Sequence, residues 1–104
     1  MKIPYHYELL ALFDDCVIRD QEQQTQQLIV RKNTTGMTFF QEQDTVFITI
    51  FDINSNHQLF AITIQEVISV VPSEHDGWIT IDSKQYREPI KIVLKKECQI
   101  SVSI

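Results

Sequence analysis

The last third of the chain alternates between apolar and polar residues. Ile90, Ile92 and Leu94 are interleaved with Lys91, Val93 and Lys95, and Ile100, Val102 and Ile104 with Ser101 and Ser103. Further upstream, Ile79 and Ile81 stand between Trp78, Thr80 and Asp82. A period of two gives each strand one dry and one wet face, which suits an antiparallel sheet. By the same parity Cys98, two residues before Ile100, faces inward. Residues 45–53 and 59–71 are dense in β-branched and aromatic side chains, as strands are. They flank Asn54-Ser55-Asn56-His57, so together they predict one long hairpin. Pro72, which cannot donate to a ladder, is expected to stop its second strand. Asp76-Gly77 and Lys95-Lys96-Glu97 mark later turns. Residues 27–32 and 37–41 read as strands separated by Asn33-Thr34-Thr35-Gly36.

The N-terminal segment reads differently. Leu9, Leu12, Phe13, Cys16 and Val17 recur at the spacing of an amphipathic helix. The alternative is a strand that starts over residues 16–19 and turns through the glutamine-rich stretch 20–27. The expected fold is mainly β, an antiparallel sandwich or partly open barrel of about six to eight short strands with room for one N-terminal helix. No internal repeat or linker divides the sequence, which predicts a single domain over residues 1–104.

The chain has only two glycines, Gly36 and Gly77, both placed at predicted turns. Loops that cradle phosphates need clustered glycines so that the backbone can approach the anion, and no such cluster exists. Asp52-Ile53-Asn54-Ser55-Asn56 begins like a calcium loop. It then places His57 where glycine is needed and Thr63 where a bidentate glutamate belongs, so it reads as a polar turn. Asn33-Thr34-Thr35 matches a glycosylation sequon, which has no consequence without secretion. Cys16 and Cys98 form no Cys/His cluster for zinc and read as buried thiols that pack like small hydrophobes. His6, His57 and His75 are far apart, with no local nucleophile. Asp14 and Asp15, being adjacent, point apart on a helix. These observations predict no catalysis and no cofactor. No apolar run reaches the ~18–20 residues of a membrane-spanning helix, and the N-terminal apolar stretch is too short for a secretion leader. The expectation is a cytoplasmic protein without a membrane partner.

Charge is the one feature above background. The chain carries 14 acids and nine bases, a formal net charge of −5. That balance argues against nucleic acid, whose phosphates require a basic surface. All the bases lie outside residues 33–83, and Lys91 and Lys95 on one strand face read as guards against edge-to-edge sheet pairing. Residues 33–83 hold Glu42, Asp44, Asp52, Glu66, Glu74, Asp76 and Asp82. An acidic zone steers a basic partner into contact. Within it, Glu74, His75, Asp76, Trp78 and Asp82, with Asp52 and Glu66, are the candidate partner-binding residues. Trp78 is either an outward interface anchor or, if a strand-start bulge turns it, a core residue. The leading expectation is a small binding or inhibitor protein that masks a basic protein partner. In size and charge alone it is similar to immunity proteins that neutralise bacterial toxins, nucleases included; no motif carries that likeness. The alternatives are an assembly subunit of a phage or secretion apparatus, self-associating through sheet edges, and a small ligand-binding barrel with an apolar pocket.

Overall fold

The structure, a computed structural model, describes residues 11–20, 22–95 and 97–101. Nine strands run through them: β1 (Asp15–Asp20), β2 (Thr25–Lys32), β3 (Thr35–Glu42), β4 (Thr45–Asp52), β5 (Gln58–Ile64), β6 (Val67–Ser73), β7 (Trp78–Ser83), β8 (Ile90–Leu94) and β9 (Cys98–Ser101). They form two antiparallel sheets, five-stranded in the order β1-β2-β3-β4-β5 and four-stranded in the order β6-β7-β8-β9. Within each sheet every strand pairs with its neighbours in sequence, so the fold is a pair of meanders packed face to face.

The two-residue period sets the core. Leu28, Val30, Met37, Phe39, Val46, Ile48 and Ile64 are buried from the first sheet, and Ile79, Ile81, Ile90, Ile92 and Leu94 from the second. Full burial of such side chains is worth about 1.5–3 kcal/mol each. Cys98 is buried in line with its parity, and Ile100 is half-buried. Val102 and Ile104 lie outside the described residues.

Two polar side chains join the inward row at one end. Gln26 and Gln41 face each other across β2 and β3, and Gln26 Nε2 donates to Gln41 Oε1 at 2.7 Å. Gln41 is fully buried, and its amide nitrogen donates to the carbonyls of Gln43 (3.2 Å) and Gln24 (3.5 Å). Its donors are thus spent on turn carbonyls, which satisfies the cost of burying an amide.

Several elements differ from expectation. The described residues contain no helix: residues 11–14 form a turn and bend, and Cys16 and Val17 lie on β1. Leu12 and Phe13 are buried, so part of the apolar stripe serves the core without helical backbone. Asp14 instead binds β2, with its N–H to the Ile29 carbonyl (2.9 Å) and its Oδ2 accepting from the Arg31 N–H (2.7 Å). Leu9 lies outside the described residues. The stretch 59–71 is two strands in different sheets, parted at Gln65-Glu66, where Glu66 takes φ 52°. Pro72 lies within β6, opposite Ile79. It is tolerated because β6 is an edge strand, where a missing N–H can face away from the ladder. Gly36 is a strand residue of β3, and the left-handed turn position before it belongs to Asn33 (φ 58°).

Candidate partner-binding surface

Trp78 opens β7. Because Ile79 and Ile81 are fully buried, parity sends Trp78, Thr80 and Asp82 to the outer face, where all three are half-buried. The register sets Thr80 opposite Lys91 and Trp78 opposite Val93. Lys91 Nζ therefore reaches over the indole, 4.0 Å from the ring centroid, and Lys95 Nζ stands 5.3 Å from it. Each cation over an exposed aromatic face is worth about 0.5–1 kcal/mol. The bases that the sequence separates from the acidic zone are thus folded back against its only tryptophan.

The turn before Trp78 is tied by its own polar groups. Ser73 Oγ donates to Asp76 Oδ2 (2.7 Å), and the Gly77 N–H donates to the Ser73 carbonyl (2.9 Å). Gly77 has φ 75°, a conformation that favours glycine. Its carbonyl accepts from the Leu94 N–H (2.8 Å). Glu74 and His75 project into solvent from this turn. Asp52 ends β4 on the other sheet. Its Oδ2 accepts from the Ser55 N–H (2.9 Å) and the Ser55 hydroxyl (2.6 Å), which together hold its carboxyl below the usual carboxylate range. The residues that resembled a calcium loop therefore close a hydrogen-bonded turn.

The candidates divide between the two ends of the sandwich. Asp52, Glu74, His75, Asp76 and Trp78 lie at one end; Glu66 and Asp82 lie at the other. In a meander, alternate turns share an end, so the connections β1–β2, β3–β4 and β5–β6 meet at the second end. The Gln43 N–H donates to the Gln24 carbonyl (3.0 Å), and the Val67 N–H to the Asp44 carbonyl (2.9 Å). The Lys84 N–H donates to the Glu66 carbonyl (3.1 Å), and the Ser83 hydroxyl to the Gln65 carbonyl, which joins the second sheet to the same cluster.

These three connections carry Asp20, Glu22, Glu42, Asp44 and Glu66 and no base. Lys84 and Arg87 follow on the β7–β8 loop beside them. Two shallow clefts share Gln43 and Asp44 as a common wall. One, of about 320 Å³, is completed by Glu22, Gln23 and Gln24. The other, of about 270 Å³, is completed by Glu42, Thr45, Phe47, Thr63 and Gln65. Of these five acids only Glu66 was among the sequence candidates; Glu42 and Asp44 belonged to the acidic zone without being singled out, and Asp20 and Glu22 lay outside it. The signal that points to them is the parity of turns: acids in the first, third and fifth connections of a meander fall together. Among the described residues no group of three or more His, Cys, Asp or Glu is placed to hold a metal ion. No helix there is long and apolar enough to cross a membrane. No protein family, curated protein or solved structure matches the chain.

Proposed function

We propose that this is a small acidic binding protein that docks on and masks a basic protein partner, with the carboxylate rim at the β1–β2, β3–β4 and β5–β6 connections as the contact. The observation that carries the reading is the convergence of Asp20, Glu22, Glu42, Asp44 and Glu66 on turns held to one another by backbone hydrogen bonds. Turns fixed in this way present their carboxylates with little ordering left to do on binding, which favours affinity. A glutamine- and carboxylate-lined surface with two shallow clefts suits lysine and arginine side chains, by charge and by amide hydrogen bonds. A toxin whose own target is anionic, such as a nuclease, is a partner of this chemistry.

The test is capture with the purified chain as bait, followed by binding kinetics on the recovered protein. The expected partner is basic, and the association rate falls as salt shortens the Debye length from ~10 Å at 0.1 M to ~3 Å at 1 M. The triple substitution Glu42→Gln, Asp44→Asn and Glu66→Gln slows association and leaves the thermal transition in place. Asp76→Asn and Trp78→Ala, at the opposite end, leave association unchanged. An acidic partner, or an association rate indifferent to both salt and the triple substitution, refutes the rim as the contact.

A further inference from the structure

Among the described residues, five take a left-handed backbone conformation although none of them is glycine. Asn33 and Asn56 do so in the β2–β3 and β4–β5 turns, at the end of the sandwich away from the acidic rim. Asparagine tolerates that conformation, because its short amide bonds to the backbone nearby. The other three are Gln24 (φ 53°), Gln43 (φ 54°) and Glu66 (φ 52°), one in each connection of the rim. Glutamine and glutamate have no such aptitude. The disfavoured backbone thus sits among the acids: Glu22 is two residues before Gln24, Glu42 and Asp44 flank Gln43, and Glu66 is itself one of them. Such conformations persist where the surroundings over-determine them, and they collect at binding sites.

Two of the three are held by one buried amide. Gln43 is tied at both backbone groups: its N–H donates to the Gln24 carbonyl (3.0 Å), and its carbonyl accepts from Gln41 Nε2 (3.2 Å). The same Nε2 reaches the Gln24 carbonyl at 3.5 Å. Gln41 Oε1 accepts from Gln26 Nε2 (2.7 Å), which orients the amide. Gln41 is fully buried, so water does not compete for its donors. Packing at this inward position would be served by leucine, as at Leu28 on the neighbouring strand. What glutamine adds is a link from the core to two acidic turns.

We infer, on the reading of the rim as the contact, that Gln41 is its positioning residue. The amide locks the β1–β2 and β3–β4 connections in their left-handed form, so that Glu22, Glu42 and Asp44 meet the basic partner as a preformed set. Charge governs how fast a partner arrives, and preorganisation governs how long it stays. Removing the amide leaves every carboxylate of the rim in place. It therefore separates the two effects: association is kept and dissociation speeds up.

Amide hydrogen exchange on the free chain tests the lock without a partner. Gln26→Leu with Gln41→Leu leaves neither amide buried alone, and circular dichroism checks the fold. In this variant the Gln43 amide exchanges at least about tenfold faster than in the parent. The Gly77 amide, bonded to the Ser73 carbonyl at the opposite end, keeps its rate. Adding Gln43→Asn, which suits the left-handed turn by itself, restores the protection; a role in core packing alone would show no such rescue. Gln43→Val leaves the core intact, and its β-branched side chain resists a positive φ, so the amide at position 43 again exchanges faster. Surface plasmon resonance with poly-L-lysine as the probe reads the consequence. The leucine pair keeps the association rate within about twofold and raises the dissociation rate about fivefold or more. Unchanged exchange at Gln43, an equal rise at Gly77, or no rescue by Gln43→Asn overturns the lock. A loosened turn with unchanged dissociation overturns the positioning role. Polylysine that fails to bind the parent refutes the rim as a contact for cations, and the lock is then decided by exchange.

Discussion

Gly36→Ala should destabilise the protein, for a reason that a second substitution removes. Gly36 lies opposite Phe51 in the β3–β4 ladder, and the far end of the phenyl ring sits over the glycine on the outer face of the sheet. A Cβ built on Gly36 would stand 2.6 Å from Phe51 Cε2, 2.9 Å from Cε1 and closer still to Cζ. No real methyl group tolerates such contacts, so the ring must swing toward solvent and lose its seat. Overpacking of this kind costs about 1–3 kcal/mol. Against it stands the ~0.4–1 kcal/mol that alanine contributes by restricting the unfolded chain, because Gly36 does not need a positive φ. The net expectation is a loss of about 1–2 kcal/mol, read as a lower urea midpoint at unchanged slope. With Phe51→Ala in place the clash is gone, and Gly36→Ala becomes neutral or stabilising. The double-mutant cycle should thus show a coupling of about 2 kcal/mol between the two positions. If Gly36→Ala is neutral in the parent, or costs as much with Phe51→Ala as without it, the ring is not what reserves this position for glycine.

Gln41→Leu leaves Gln26 Nε2 and the Gln43 carbonyl without their partner, and urea unfolding should report a loss of about 1–3 kcal/mol. Replacing Gln26 and Gln41 together by leucine costs less than the sum of the single changes. Because hydrogen bonds from Ser55 lower the Asp52 pKa, the stabilisation it gives is present above the unfolded carboxylate value of 3.8 and is lost as pH falls through the lower folded value. The stability difference between the parent and Asp52→Ala should therefore narrow in strongly acidic buffer and persist at neutral pH. Burial pushes the Cys98 thiol up, against a lowering hydrogen bond from Thr35, so the folded state disfavours its thiolate and loses stability as pH rises above 9.0. Mass spectrometry after alkylation at neutral pH should find Cys98 modified only at the rate of global unfolding.

What could be read in the sequence was whatever the two-residue period controls. Residues 78–83 and 90–94 alternate cleanly because the core lies on one side of them and solvent on the other, and both became strands with Ile79, Ile81, Ile90, Ile92 and Leu94 inside. The stretch 59–71 hid its break, because the corner is made by Glu66 at positive φ and no glycine or proline marks it. In a chain with two glycines, Gln24, Asn33, Gln43 and Asn56 take left-handed conformations in the same way. The signals usually sought for turns are accordingly missing where the chain in fact turns. The apolar spacing near Leu12 and Phe13 suits a helix as well as a turn leading into a strand, and the open edge of β2 decided in favour of the strand. The environment of Trp78 depends on register across β7 and β8, which places Lys91 and Lys95 at the ring; residues 13 and 17 positions further along the chain carry no local sign of it. The acidic rim was half legible. Its acids were visible, but their gathering at one end follows only once the strands are known to run as a meander.

The absence of crossing strands has a consequence for the birth of the protein on the ribosome. Each sheet is one uninterrupted stretch of sequence, residues 15–64 and then residues 67–101, hinged at Gln65-Glu66. The whole first sheet has been synthesised before the strands that cover its inner face are begun. Its hairpins can close in order as they emerge, since each needs only the strand just made. What they then display is a naked wall of Leu28, Val30, Met37, Phe39, Ile48 and Ile64 that waits about 35 residues, a few seconds of synthesis, for its cover. In that interval the newborn chain is a client for any passing hydrophobic surface, and the second meander acts as a lid delivered from the same messenger.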